Sequence, residues 1–168
     1  MKTFIFAAAT LAFAACATTS DPKGPSASVT LRPASGTKIA GNLTFTQVGD
    51  RVRVAGQITG HTPGVKGFHI HEKGDCSAPD AMSAGGHFNP AKALHGAPGA
   101  GHAGDMGNLE FDAGGKAVVN LMLSGISVSK EASNGIIGRA VIVHVATDDL
   151  KTDPTGNAGG RGACGVIG

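Results

Sequence analysis

The stretch Ile39-Ala40-Gly41-Asn42-Leu43-Thr44-Phe45-Thr46-Gln47-Val48-Gly49-Asp50-Arg51-Val52-Arg53-Val54-Ala55-Gly56-Gln57-Ile58 decides the fold class. Successive side chains of an extended chain point to opposite sides, so Ile39, Gly41, Leu43 and Phe45 share one face. Gly49-Asp50 supplies a turn. Val52, Val54, Gly56 and Ile58 then share a face, opposite Arg51, Arg53, Ala55 and Gln57. Two alternating runs joined by a tight Gly-containing turn read as a β-hairpin.

The same alternation continues on both sides, while helical periodicity is weak throughout. Residues 29–31 form a short strand that ends at Pro33. Further strands are expected over 67–72, 108–112, 116–123 (entered from the Gly114-Gly115 turn), 139–145 and 163–167. Eight short strands with turn signals between them predict an all-β, eight-stranded antiparallel sandwich or flattened barrel. Two connections are long. Residues 72–107 show no strand or helix pattern, and residues 146–162 are rich in Asp, Thr, Gly and Asn. Loops of this length inside a compact domain are usually functional.

The N-terminus is a targeting segment rather than fold. Lys2 precedes a short apolar run to Ala15, which is too short for a permanent membrane span. Residues 1–16 are assigned as a signal peptide. Ala14-Ala15 before Cys16 resembles a lipoprotein cleavage box, in which Cys16 carries the lipid; cleavage by a general signal peptidase is the other route. Residues 17–28 are rich in Thr, Ser, Pro and Gly and read as a flexible tether. Residues 29–168 are one domain's worth of chain. The net charge of +2 is too small and too dispersed for nucleic-acid binding. Cys76 and Cys164 form an even pair in an exported chain, so a disulfide is expected.

The chain holds 7 His and neither Trp nor Tyr. His69 and His71 stand at i and i+2 on one strand and project from the same face, with Phe68 and Ile70 on the other. His87, His95, His102 and Asp105 follow in the Gly-rich loop, and His144 ends the apolar run Val141-Ile142-Val143. Imidazole is the commonest metal ligand among side chains. Six imidazoles, one carboxylate and no thiolate suit copper and zinc. They are also more donors than one four-coordinate ion can use, which points to two metals. His61, between Gly60 and Pro63, fits neither set and reads as an exposed turn residue.

Four motifs now resemble one family. They are Gly67-Phe68-His69-Ile70-His71-Glu72, Gly86-His87-Phe88-Asn89-Pro90, Gly138-Arg139-Ala140-Val141-Ile142-Val143-His144 and the C-terminal stretch from Gly156-Asn157-Ala158-Gly159-Gly160-Arg161 to Gly168. In this order and together they resemble copper/zinc superoxide dismutase, of the bacterial exported type. The resemblance implies a Greek-key barrel and dismutation of superoxide to oxygen and hydrogen peroxide, with one copper and one zinc per chain. It implies copper ligands His69, His71, His87 and His144, and zinc ligands His87, His95, His102 and Asp105. His87 then bridges the ions and takes part in catalysis. Arg161 attracts and orients superoxide. Asp148 hydrogen-bonds His69 and His95 from behind, and Cys76–Cys164 is the disulfide of the subunit.

Lys66, Lys73 and Lys151 are candidates for steering substrate. The stretch 76–87 resembles the longer bacterial form. A second copy of the chain is a candidate partner, and a lipidated Cys16 would tether the enzyme to the membrane. The expected location is the periplasm, or more broadly outside the cytoplasm, with outer-membrane anchoring if Cys16 is lipidated. The rival reading is a copper/zinc chaperone or buffer on the same fold. Such modules often lack one copper ligand or the arginine, and this chain keeps both.

Overall fold

The computed structural model describes residues 23–168. The signal segment, Cys16 and residues 17–22 lie outside the described residues. Eight strands follow one another: β1 (Lys23–Pro33), β2 (Ala40–Val48), β3 (Arg51–Thr59), β4 (Gly64–His71), β5 (Asp105–Phe111), β6 (Ala117–Leu123), β7 (Ala140–His144) and β8 (Arg161–Val166). Their order in the sheet is β5-β4-β7-β8-β1-β2-β3-β6. All pairings are antiparallel, and β5 and β6 approach each other where the sheet nearly closes on itself. The eight strands read from the sequence are all present.

The hairpin read first is β2–β3, in register from Ala40↔Thr59 to Val48↔Arg51, with Gly49 and Asp50 as its turn. Leu43, Phe45, Val52, Val54 and Ile58 enter the barrel core and meet Phe68, Ile70, Phe111, Val141 and Val143 from the other strands.

One boundary needs correcting. The tether was expected to run to Ser28, yet β1 begins at Lys23. Ala27 is buried opposite Phe45, and the Ser26 hydroxyl donates to Thr46 Oγ1 at 3.2 Å. Ladder hydrogen bonds come from the backbone, so a polar, small-residue segment can pair along β2 without an apolar pattern of its own.

The central strands β4 and β7 are buried on both faces from Gly67 and from Ala140 onward. Phe68 and Ile70 pair with Val143 and Val141, while His69 and His71 pair with Ile142 and Ala140. The first set fills the barrel. The second set lies on its outer face. There Ala140 and Ile142 pack with Ala34, Ala81, Ala84 and Cys164 in a second apolar cluster beneath the long loop.

The loop after β4 is not structureless. Cys76 is bonded to Cys164 of β8, with Cα atoms 5.8 Å apart and a sequence separation of 88. Met82–Ala84 form a 3-10 turn. Where β5 leaves β4 after His69↔Asp105, the segment around His87 takes its place. The Phe88 N–H donates to Ile70 O at 2.8 Å, Glu72 N–H to Gly86 O at 2.9 Å, and Ile70 N–H to Gly104 O at 2.9 Å. A Cβ on Gly104 would overlap the Ile70 carbonyl, so this approach requires glycine.

Candidate metal centre

Strand geometry gathers the first imidazoles. His69, His71 and His144 leave the same outer face of neighbouring strands β4 and β7. The loop adds His87, whose backbone bridges to His71. One nitrogen from each of His69, His71, His87 and His144 can be chosen so that all four lie within 4.8 Å of one another. The His69 and His87 ring centroids are 4.0 Å apart. A second set with the same property is His87, His95, His102 and Asp105, and His87 belongs to both. All seven side chains are buried.

The hydrogen bonds decide which nitrogen of each ring is left for an ion. Asp148 receives Nε2 of His69 at 2.8 Å and Nε2 of His95 at 2.9 Å. Nδ1 of His71 lies 2.9 Å from Gly85 O, and Nδ1 of His144 lies 3.2 Å from Gly159 O. Carbonyl and carboxylate oxygens can only accept, so these nitrogens carry the protons and the opposite ones are bare. Nδ1 of His69 and Nε2 of His71, His87 and His144 are buried without a hydrogen-bond partner. Each such buried atom costs about 1–3 kcal/mol if left unmet. Four of them in one place fit a cation with nitrogen preference, as copper has.

The second set is built around a carboxylate. Asp105 Oδ1 lies 2.9 Å from His87 Nδ1 and 3.3 Å from His102 Nδ1. Asp105 Oδ2 lies 3.0 Å from His95 Nδ1, although that contact is too poorly directed to satisfy the nitrogen as a hydrogen bond. Three Nδ1 atoms and one carboxylate make a four-donor set without sulfur, which suits zinc. A third grouping, His69, His95 and Asp148, is different. There the carboxylate already accepts two N–H bonds and acts as an orienting bridge between the two sets.

Electrostatics match these assignments. Burial lowers the His69 imidazole to about 4, His144 to about 3 and His71 to about 2, so all three are neutral donors near pH 7. Burial would raise the carboxyl of Asp148, but hydrogen bonds from His69, the Leu150 N–H and His95 outweigh it and hold it at about 2. Burial is likewise outweighed at Asp105 by hydrogen bonds from His87, Gly96 and His102, which lower its pKa.

His71, His87 and His144 open on a cleft of about 580 Å³, lined among others by Asn157 and Arg161. Arg161 is half-buried beside His144, its cross-strand neighbour at a register shift between β7 and β8. Its Nη1 donates to Ala81 O at 2.7 Å and its Nη2 to Gly85 O at 2.6 Å. The guanidinium is therefore fixed at the cleft wall as a positive charge. Of the three lysines named as steering candidates, Lys66 donates to Val145 O at 3.2 Å. None of the three lines the cleft.

His61 was expected to be an exposed turn residue and is not. It is 9 % exposed, rests against Phe111, and places Nε2 3.0 Å from the main-chain oxygen of His144. Its other nitrogen, Nδ1, lies 3.0 Å from Thr62 O and 3.1 Å from Thr62 Oγ1. The turn folds inward because these partners satisfy both ring nitrogens. Asn108 was not singled out at all. Its side chain clamps the Asp148 backbone, donating Nδ2–H to Asp148 O at 2.9 Å and accepting the Asp148 N–H at 2.9 Å. A lone Asn in a strand gives no spacing signal, so only contact across 40 residues reveals it.

With this geometry in place, similarity to known proteins is specific. A family model described as copper/zinc superoxide dismutase matches residues 39–167. An extracellular superoxide dismutase [Cu-Zn] of Caenorhabditis elegans is 44% identical over 140 residues, which cover 79% of this chain and 62% of that protein. The corresponding protein of Haemonchus contortus is 42% identical over 139 residues (78% of this chain, 74% of that one). That of Drosophila melanogaster is 46% identical over 142 residues (79% and 77%). Thus the chain spans less than two thirds of the C. elegans relative. The crystal structure of the clock protein EA4 superposes with a TM-score of 0.77 at 48% identity, over 85% of this chain and 93% of that one.

Proposed function

The chain belongs to the copper/zinc superoxide dismutase family, an oxidoreductase family that uses copper and zinc to dismute superoxide, and we propose that its two ions share the imidazole of His87. His69, His71, His87 and His144 hold the copper; His87, His95, His102 and Asp105 hold the zinc. Copper supplies a one-electron redox couple, which zinc lacks, and zinc supplies fixed positive charge. The reaction is 2 O₂•⁻ + 2 H⁺ → O₂ + H₂O₂.

The protein's own residues do the rest. Superoxide is a small anion with little surface to recognise, so charge and access must select it. Arg161 is held by two carbonyls at the cleft wall and presents a planar fork of donors to the incoming anion. A positive cleft also raises the encounter rate. His87 lies 2.9 Å from Asp105 through Nδ1, lines the cleft, and keeps Nε2 without a hydrogen-bond partner. We also place His87 in proton transfer: a ring nitrogen of His87 not bound to an ion would hold the proton that the reduced substrate needs. His71 and His144 are oriented by the carbonyls of Gly85 and Gly159, and His69 and His95 by Asp148.

The enzyme acts outside the cytoplasm, as its relatives named extracellular do. Residues 1–16 support export, and the box before Cys16 supports lipidation and a membrane tether of the bacterial periplasmic kind. Mass spectrometry of the mature N-terminus tests this: a lipid mass on Cys16 is expected, and a chain beginning after Cys16 would overturn it. A homodimer is the candidate assembly, tested by sedimentation. The observation that carries the functional reading is that His69, His71, His87 and His144 each keep one buried nitrogen without a partner and can bring four nitrogens within 4.8 Å of one another, with His87 common to a second donor set. Superoxide consumption by protein carrying one copper and one zinc per chain, absent from metal-free protein, is the expected result. A single metal at full loading would overturn the shared imidazole.

A further inference from the structure

We propose that Met82 and Asp80 form a docking station for Cu(I) at the mouth of the cleft, from which the ion passes to His71, His87 and His144. The inference rests on the copper reading of that histidine set and concerns how the ion arrives.

The bare ring nitrogens are buried, and the three rings that reach a cavity do so through the cleft that Arg161 also lines. This creates a conflict. The guanidinium that attracts an anionic substrate repels an approaching cation, and this repulsion works against loading. A neutral, soft donor avoids the conflict, because its bond to Cu(I) owes little to charge. Met82 is such a donor on the cleft wall, and it is 60 % exposed. An exposed thioether there contributes little to packing. Among the described residues the other methionines do not border the cleft: Met106 is buried in the barrel core, and Met122 lies on β6.

Met82 is also held in place. It opens the 3-10 turn Met82–Ala84, and Arg161 grips the carbonyls on either side of that turn, those of Ala81 and Gly85. The Met82 N–H donates to Asp80 Oδ1 at 3.0 Å, so the two residues form one local unit. Asp80 lines the same cleft and offsets part of the Arg161 charge where a cation must enter. The Gly85 carbonyl also receives His71 Nδ1, which ties the station to a ring on the ion's path.

The test uses the full chain, disulfide intact and zinc-loaded, with Cu(I) supplied from a buffering chelator. Met82→Leu preserves size and apolarity while removing sulfur. Copper uptake is expected to slow several-fold in Met82→Leu, with the same final copper per chain and the same activity once loaded, and to slow less in Asp80→Asn, with the same final copper per chain. In protein carrying ¹³C-methyl methionine, Ag(I), a redox-silent stand-in, is expected to shift the Met82 methyl resonance and leave Met106 and Met122 in place. Equal uptake rates at full occupancy, or a Met82 resonance that does not move while the histidine signals do, would overturn the station alone. Failure of both the parent and the variant to take up copper would overturn the copper reading itself.

Discussion

His71 and Arg161 donate to one carbonyl oxygen, that of Gly85, at 2.9 Å and 2.6 Å. The proposed copper ligand His71 and the proposed anion-attracting side chain of Arg161 are thereby positioned by the same backbone atom. The loop that supplies His87 thus also sets the position of the guanidinium relative to the His71 ring.

Arg161→Ala removes that positive charge and leaves the seven proposed metal ligands in place. We expect kcat/KM to fall by about tenfold or more and its salt dependence to flatten, since steering by charge accelerates encounter by roughly 10–10³-fold. Stopped-flow decay of superoxide at several ionic strengths measures both. Elemental analysis should find copper unchanged. An unaltered salt slope would show that other residues steer.

Asp148 orients one ring of each metal set, so Asp148→Ala should weaken both ions, by roughly 10–100-fold in affinity. Asn108→Ala should reproduce part of the loss, because it releases the Asp148 backbone and leaves the carboxylate. Gly156→Ala should resemble Asp148→Ala: its Cβ would overlap Asp148 Oδ1 and crowd His95 Nε2, at a φ of +61°. Chelator competition gives the affinities. Loss of only one metal in Asp148→Ala would contradict its bridging position.

His61→Phe keeps the contact with Phe111 and loses the bond to His144 O. The lost hydrogen bond is worth about 0.5–1.5 kcal/mol, and its carbonyl belongs to His144, a proposed copper ligand. The variant should melt lower and release copper faster than zinc. Equal release of the two metals would place the effect in the barrel instead.

Acid should destabilise the metal-free protein. The depressed imidazoles of His69, His144 and His71 return to about 6.5 on unfolding. Below that pH the unfolded chain binds protons that the folded chain refuses, so stability falls as pH drops from about 6.5 towards 4 and further towards 2. Asp148 acts in the same direction. Its folded value of about 2 lies below the ordinary 3.8, so its contribution is present above about 3.8 and is lost as pH falls through 2. Thermal unfolding of metal-free protein between pH 7.5 and pH 4 should show a steadily falling Tm; a flat profile would contradict the burial of these rings.

Reduction of Cys76–Cys164 opens a closure of 88 residues. The chain-entropy model assigns such a link roughly 4–5 kcal/mol. The reduced protein should unfold at lower denaturant and exchange metal faster, because the loop carrying His87 loses its anchor on β8. Denaturant titration with and without reductant tests this, and coincident curves would refute it.

Much of this protein can be read from its residues alone. Alternation in Ile39–Ile58 is a two-residue period, and that period is a property of any extended chain, so the hairpin and the inward faces follow locally. The same period places His69 and His71 on one face. The donor types, imidazole and one carboxylate without thiolate, already point to copper and zinc.

Other features exist only in the folded molecule. Which nitrogen of each ring stays bare is decided by Gly85, Gly159 and Asp148, which lie far from their histidines in sequence. His61 is buried because Thr62 and the His144 carbonyl meet both of its nitrogens, and β1 extends back to Lys23 because β2 offers a ladder. Sequence pattern records side-chain chemistry and local period. Backbone carbonyls are the same in every residue, so the contacts they make, and the proton positions those contacts impose, come into being only when distant segments meet.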